Sequence, residues 1–126
     1  MQLTITSHNK DGYLLIESKG TLQTKEELIK HSQLMFDEIM KQGAKRIIVD
    51  DTGTDFPLEL FPYFGLVQDY AVSYPPEIRS LLIGIVVAQE YKEVAESWES
   101  LCLTRGLQFY AFTSLEEATG WLHETM

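Results

Sequence analysis

Two short, uninterrupted apolar runs constrain this chain more than anything else in it. Arg46 to Asp50, "RIIVD", is brief and rich in β-branched residues, and Leu81 to Ala88, "LLIGIVVA", carries no polar side chain at all. Runs of this kind suit strands buried on both faces, the situation of a parallel sheet sandwiched between helices. Neither is long enough to cross a bilayer. They demand amphipathic helices nearby, and the sequence predicts four.

The first helix opens at a capping box, with Thr24 accepting from a free helix amide and Glu27 reaching back. Leu28, Met35 and Ile39 then share a face, widened by Ile29, Phe36 and Met40, until Gly43 supplies a left-handed end. Pro57 and Pro62 suit helix starts, and Phe64, Val67, Ala71 and Tyr74 make a second stripe stopped by Pro75-Pro76. Val94, Trp98, Leu101 and Cys102 mark a third, closed by Gly106. Ser114 and Glu117 cap a fourth, with Leu115, Ala118 and Leu122 inward.

Three further strands complete the pattern. Leu3 and Ile5 alternate with Thr4 and Thr6, "YLLIES" follows an Asp11-Gly12 turn signal to form a hairpin, and "LQFYAF" comes late. The order is β-β-α-β-α-β-α-β-α. It predicts an α/β fold: a single, mainly parallel five-stranded sheet with an antiparallel N-terminal edge strand, "LLIGIVVA" at its centre, and four helices reached by right-handed crossovers. No repeat, linker or low-complexity stretch interrupts the chain, so residues 1–126 read as one domain.

The formal charge of -9 argues against nucleic acid or an anionic membrane as partner, since both need a basic footprint. The N-terminus has no apolar run of signal-peptide type, and one cysteine permits no intrachain disulfide. The expectation is a cytoplasmic protein without membrane insertion. Cys102, beside Trp98 on an apolar face, reads as a small core residue.

That element order resembles the STAS domain (the anti-sigma-factor antagonist fold) and its SpoIIAA-like, SEC14-type relatives. "RIIVDDTGTDFP" looks like the family's third strand and following loop, and "FTSLEEATGWL" like its closing strand and helix. Antagonists of the family carry a phosphorylatable serine in an Asp-Ser-Ser-Gly-like loop after that strand. Here the stretch reads "TDFPLELFP", and no serine occurs between Ser32 and Ser73. The SpoIIAA-like relatives that lack the loop are the better match. The resemblance implies a non-catalytic regulatory or protein-binding module, and its SEC14-type side implies, as an alternative, a carrier of a small apolar ligand or lipid.

The acidic stretch Asp50 to Asp55 invites chemical readings of its own. Asp51-Thr52-Gly53 has the wording of an aspartic protease, but those enzymes pair two such turns on an all-β scaffold, against which four helical stripes argue. "DDTGT" differs from a phosphorylated-aspartate motif by a carboxylate at Asp51, which adds charge where a phosphoryl group must arrive. Asp50, Asp51 and Asp55 could offer oxygen ligands to a divalent ion, giving a metal-dependent enzyme as a third reading. The plainer reading is turn chemistry, with Asp50 ending the strand and Asp51 and Asp55 solvated.

Thr52 and Thr54 are the only hydroxyls placed to replace the missing serine, and the neighbouring aspartates would repel a phosphate there. Asp50, Asp51, Thr52, Thr54 and Asp55, with Tyr63, Tyr70 and Tyr74 at the edge of the second helix, are therefore the candidate ligand- or partner-binding residues. The tyrosines suit an apolar pocket or a homodimer interface, or simply core packing with phenols reaching water. His8, His31 and His123 have no ligand-like neighbours at metal spacing and read as surface or helix-end residues. No catalytic residue, metal site or cofactor is expected.

Overall fold

The computed structural model describes residues 2–55 and 79–125. Strand β1 (Gln2–Lys10) turns through Asp11 and Gly12 into β2 (Tyr13–Thr21). Gly12 takes the positive φ of 87° that the turn requires. Helix α1 (Lys25–Gln42) leads to β3 (Arg46–Asp55), and β4 (Leu82–Val86) follows later in the chain. A short 3-10 turn (Gln89–Tyr91) enters α2 (Lys92–Thr104), after which come β5 (Gln108–Phe112) and α3 (Leu115–Glu124).

The strands lie in the order β1-β2-β3-β4-β5. β1 runs antiparallel to β2, and every other neighbour is parallel. The mixed sheet with its antiparallel edge is therefore the expected one. Two details differ. β3, not β4, holds the middle position, although β4 is flanked on both sides. Three α-helices, rather than four, are counted among the described residues. The stripe from Pro62 to Tyr74, expected to form the other helix, lies outside them.

Local chemistry explains the helix ends. Glu27 N–H donates to Thr24 Oγ1 at 3.1 Å, and Glu27 Oε1 accepts from the Gln23 amide at 2.8 Å. Glu117 N–H likewise donates to Ser114 Oγ at 3.2 Å. Both caps satisfy amides that a helix start leaves bare. Gly43, at φ 67°, closes α1 with its amide on the Ile39 carbonyl.

Alternation along the strands divides the core. Leu14, Ile16, Ile47, Val49, Ile83, Ile85 and Phe109 face α1 and α2, where they meet Leu28, Phe36, Ile39, Trp98 and Cys102. Leu15, Ile48 and Val86 face α3 and pack on Ala118 and Leu122. Successive residues point to opposite faces, so an uninterrupted run such as "RIIV" feeds both layers at once. Gly84 serves the second face, since a Cβ there would sit 3.0 Å from Trp121 Cζ3 and 3.1 Å from Ile48 Cδ1. Its bare backbone lets the indole lie on the sheet.

Candidate functional site

β3 does not stop at Asp50. It continues beside β2 as far as Asp55, with a shift in register: Asp50 pairs with Glu17, but Gly53 pairs with Lys19. Two residues, Asp51 and Thr52, thus oppose Ser18 alone, which is a β-bulge. The expected turn is instead a bulged strand. The physical reason is that Lys19, Gly20 and Thr21 offer the pairing edge that Gly53, Thr54 and Asp55 need.

The strand sorts the candidate residues by side. Asp51 and Thr54 are buried, at 0% and 1% exposure, while Thr52 and Asp55 are exposed and Asp50 half-buried. A solvated Asp51 is therefore corrected: it follows Ile47 and Val49 onto the α1 face. His31 is corrected too, being 1% exposed on α1 rather than at the surface. The two meet, with His31 Nε2 3.5 Å from Asp51 Oδ1.

Ser18 and Thr54 complete a buried polar quartet. Ser18 Oγ lies 3.0 Å from His31 Nε2. The Thr54 hydroxyl is 2.9 Å from the Ser18 carbonyl oxygen, 3.0 Å from Ser18 Oγ and 3.3 Å from Asp51 Oδ1. Its single proton serves one of these at a time. Asp51 Oδ2 has no hydrogen-bond partner among the described residues.

Serine, histidine and aspartate in contact invite comparison with a hydrolytic triad, and the geometry differs from one. A triad histidine meets serine through one ring nitrogen and aspartate through the other. Here Nε2 faces both, and Ser18 is 1% exposed. The contacts of the quartet tie β2, α1 and β3 together inside the core.

On the solvent side, Asp50 Oδ1 accepts from the Thr52 amide at 3.0 Å and the Thr52 hydroxyl at 2.7 Å. Asp55 accepts weakly from Thr21 Oγ1 at 3.4 Å. Among the described residues no group of three or more His, Cys, Asp or Glu side chains comes together to hold a metal ion. Asp50, Asp51 and Asp55 are divided between two sides of the strand. Thr54 is enclosed, which leaves Thr52 as the accessible hydroxyl of the pair. Tyr63, Tyr70 and Tyr74 lie outside the described residues. Cys102 is buried in the core, as its neighbours suggested.

The architecture is that of the STAS-like, SpoIIAA-like fold. An anti-sigma factor antagonist from Mycobacterium paratuberculosis matches with a TM-score of 0.63 over 97% of this chain and 95% of its own, at 11% identity. An uncharacterized protein with a SpoIIAA-like fold from Shewanella loihica matches with a TM-score of 0.57 over 95% and 93%, at 14% identity. No protein-family model matches the sequence, and no curated protein matches it. Among the described residues no helix is long and apolar enough to cross a membrane.

Proposed function

We propose that this domain is a non-catalytic regulatory module of the cytoplasm that works by binding another protein through the carboxyl end of β3. The observation that carries this reading is the likeness, along nearly the whole length of both chains, to an anti-sigma factor antagonist. Asp50, Thr52 and Asp55 form the described part of the surface, and their charge favours a basic partner. Tyr63, Tyr70 and Tyr74 are proposed as further contacts on sequence grounds. Asp51 and Thr54 support the surface from beneath and do not touch the partner.

The apolar-carrier alternative finds little support among the described residues. The apolar cavity between α1, α2 and the sheet, lined by Met35, Phe36, Ile39, Val49, Ile83 and Trp98 among others, holds about 20 Å³. That is room for about one water, whereas small-molecule sites begin near ~300 Å³.

Affinity capture with the purified protein tests the reading. The intact protein is expected to recover a specific protein that the double variant Asp50→Lys/Asp55→Lys loses while keeping its circular dichroism. Equal recovery by both removes this surface, and recovery of nothing above a control contradicts protein binding.

A further inference from the structure

The sheet ends in two unlike edges. β5 is the short one, five residues from Gln108 to Phe112. The Phe112 carbonyl turns to the β4 side and accepts from the Val87 amide at 2.9 Å, so the preceding residue, Ala111, turns its backbone outward. Glu99 of α2 hydrogen-bonds to that backbone with its carboxyl group. A brief strand with an acidic side chain laid along it is a poor template for another strand.

The β1 edge is built the other way. All nine of its residues, Gln2 to Lys10, pair with β2 without a shift in register. Among the described residues no group hydrogen-bonds to the backbone on its other side. Every second residue therefore turns a bare N–H and C=O outward, along a row about 30 Å long. No proline or bulge blunts it, and β1 holds no carboxylate in a chain with 19 acidic residues.

An apolar side chain stands beside this edge. Ser7 Oγ donates to Glu38 Oε1 at 2.7 Å, and Gln42 Nε2 donates to the same oxygen at 2.9 Å, which sets one flank of α1 over β1. Leu34 is one turn before Glu38 on that flank and is 37% exposed. Because α1 crosses back between the parallel strands β2 and β3, it runs in the direction of β1. One turn spans about two strand residues, so Leu34 stands level with Ile5, near the middle of β1.

Self-pairing suits both features. Antiparallel pairing of β1 with a second copy about Thr6, its central residue, uses the whole strand and closes as a twofold dimer. Thr6 then meets Thr6 of the second copy, Ile5 meets Ser7 and Thr4 meets His8, so no like charges stand opposite each other. The net charge of -9 keeps copies of this chain apart elsewhere, and β1 is a line free of carboxylates along which they can approach.

We propose that β1 is a homodimer interface: two copies join antiparallel along β1 into one continuous sheet, and the Leu34 side chains cover each other across the twofold axis. The interface is separate from the protein-binding surface proposed on β3 and stands or falls without it.

Sedimentation equilibrium of the intact protein at micromolar concentration is expected to give twice the chain mass of 14.4 kDa. Thr6→Cys and Thr4→Cys, both at exposed positions, test the register. Residues directly opposed in antiparallel strands have Cα atoms about 4.5–5.5 Å apart, within disulfide range. Thr4 and Thr4 of the second copy would be about 14 Å apart. Mild oxidation should therefore link Thr6→Cys into a covalent dimer and leave Thr4→Cys unlinked, while Cys102 stays buried. Leu34→Glu is expected to weaken the dimer roughly tenfold or more with unchanged circular dichroism. A monomer at high micromolar concentration, a Thr6→Cys protein that links no better than Thr4→Cys, or a dimer indifferent to Leu34→Glu would overturn the proposal.

Discussion

The two faces of the sheet treat polar side chains in opposite ways. Under α1 and α2, Ser18, His31, Asp51 and Thr54 lie deep among apolar residues, each in contact with another of the four. Under α3 the cluster of buried residues is wholly apolar, and polar groups are confined to the rim, with Lys45, Arg46 and Tyr110 around the half-buried Trp121. An enclosed polar group can bond only within the fold, and Asp51 Oδ2 finds no hydrogen-bond partner there among the described residues. A rim group keeps its hydrogen-bonding capacity for whatever arrives from solvent.

Four substitutions sharpen that contrast. The largest effect is expected at Ile48→Ala, because the α3 face rests on few buried residues and Ile48 is fully enclosed. The loss should be about 3 kcal/mol in urea unfolding, with tryptophan emission shifting as Trp121 loses its seat. Gly84→Ala should cost about 1–2 kcal/mol, since the added methyl meets Trp121 and Ile48 in a packed layer. A Gly84→Ala protein as stable as the parent would mean that Trp121 does not lie on the sheet. Thr24→Ala should cost about 1 kcal/mol by removing the α1 cap, as thermal unfolding would register.

The smallest effect concerns Glu99 on α2. Burial, aided by the charge of Glu96, pushes its carboxyl above the usual range, against the pull of a hydrogen bond at the Ala111 backbone. A raised carboxylate pKa means that the folded state binds the proton more readily. Its contribution to stability is therefore fully present below the ordinary carboxylate pKa and is lost as pH rises through the folded value. Glu99→Gln should raise the melting temperature slightly at neutral pH, by less than about 0.5 kcal/mol in stability. The gain should vanish at acidic pH. A melting temperature lowered at neutral pH would refute the sign.

Much of the fold was legible because it is written in local patterns. The threonine and serine caps three residues ahead of Glu27 and Glu117, the left-handed Gly43, and the apolar runs of β3 and β4 each carry their own signal. The buried quartet was not legible in that way, because Ser18, His31 and Asp51 meet only after β2, α1 and β3 have docked. Periodicity held a partial clue. His31 falls three residues after Leu28 and four before Met35, on the buried stripe of α1. Asp51 keeps the parity of Ile47 and Val49. Reading "DTGTD" as a turn hid this, since Gly53 and the aspartates are turn residues by composition, and only the neighbouring edge of β2 makes them a strand. Lys45 and Trp121 come near one another for the same reason, since they are far apart in sequence and meet only when α3 docks on the sheet.

The central claim is that β3 sends Asp51 inward and Asp55 outward. Denaturant unfolding of the two alanine variants tests it most directly. Asp51→Ala is expected to lose about 1–3 kcal/mol, because His31 and Thr54 lose a buried partner. Asp55→Ala should stay within about 0.5 kcal/mol of the parent. Equal losses, or the larger loss at Asp55, would contradict the account.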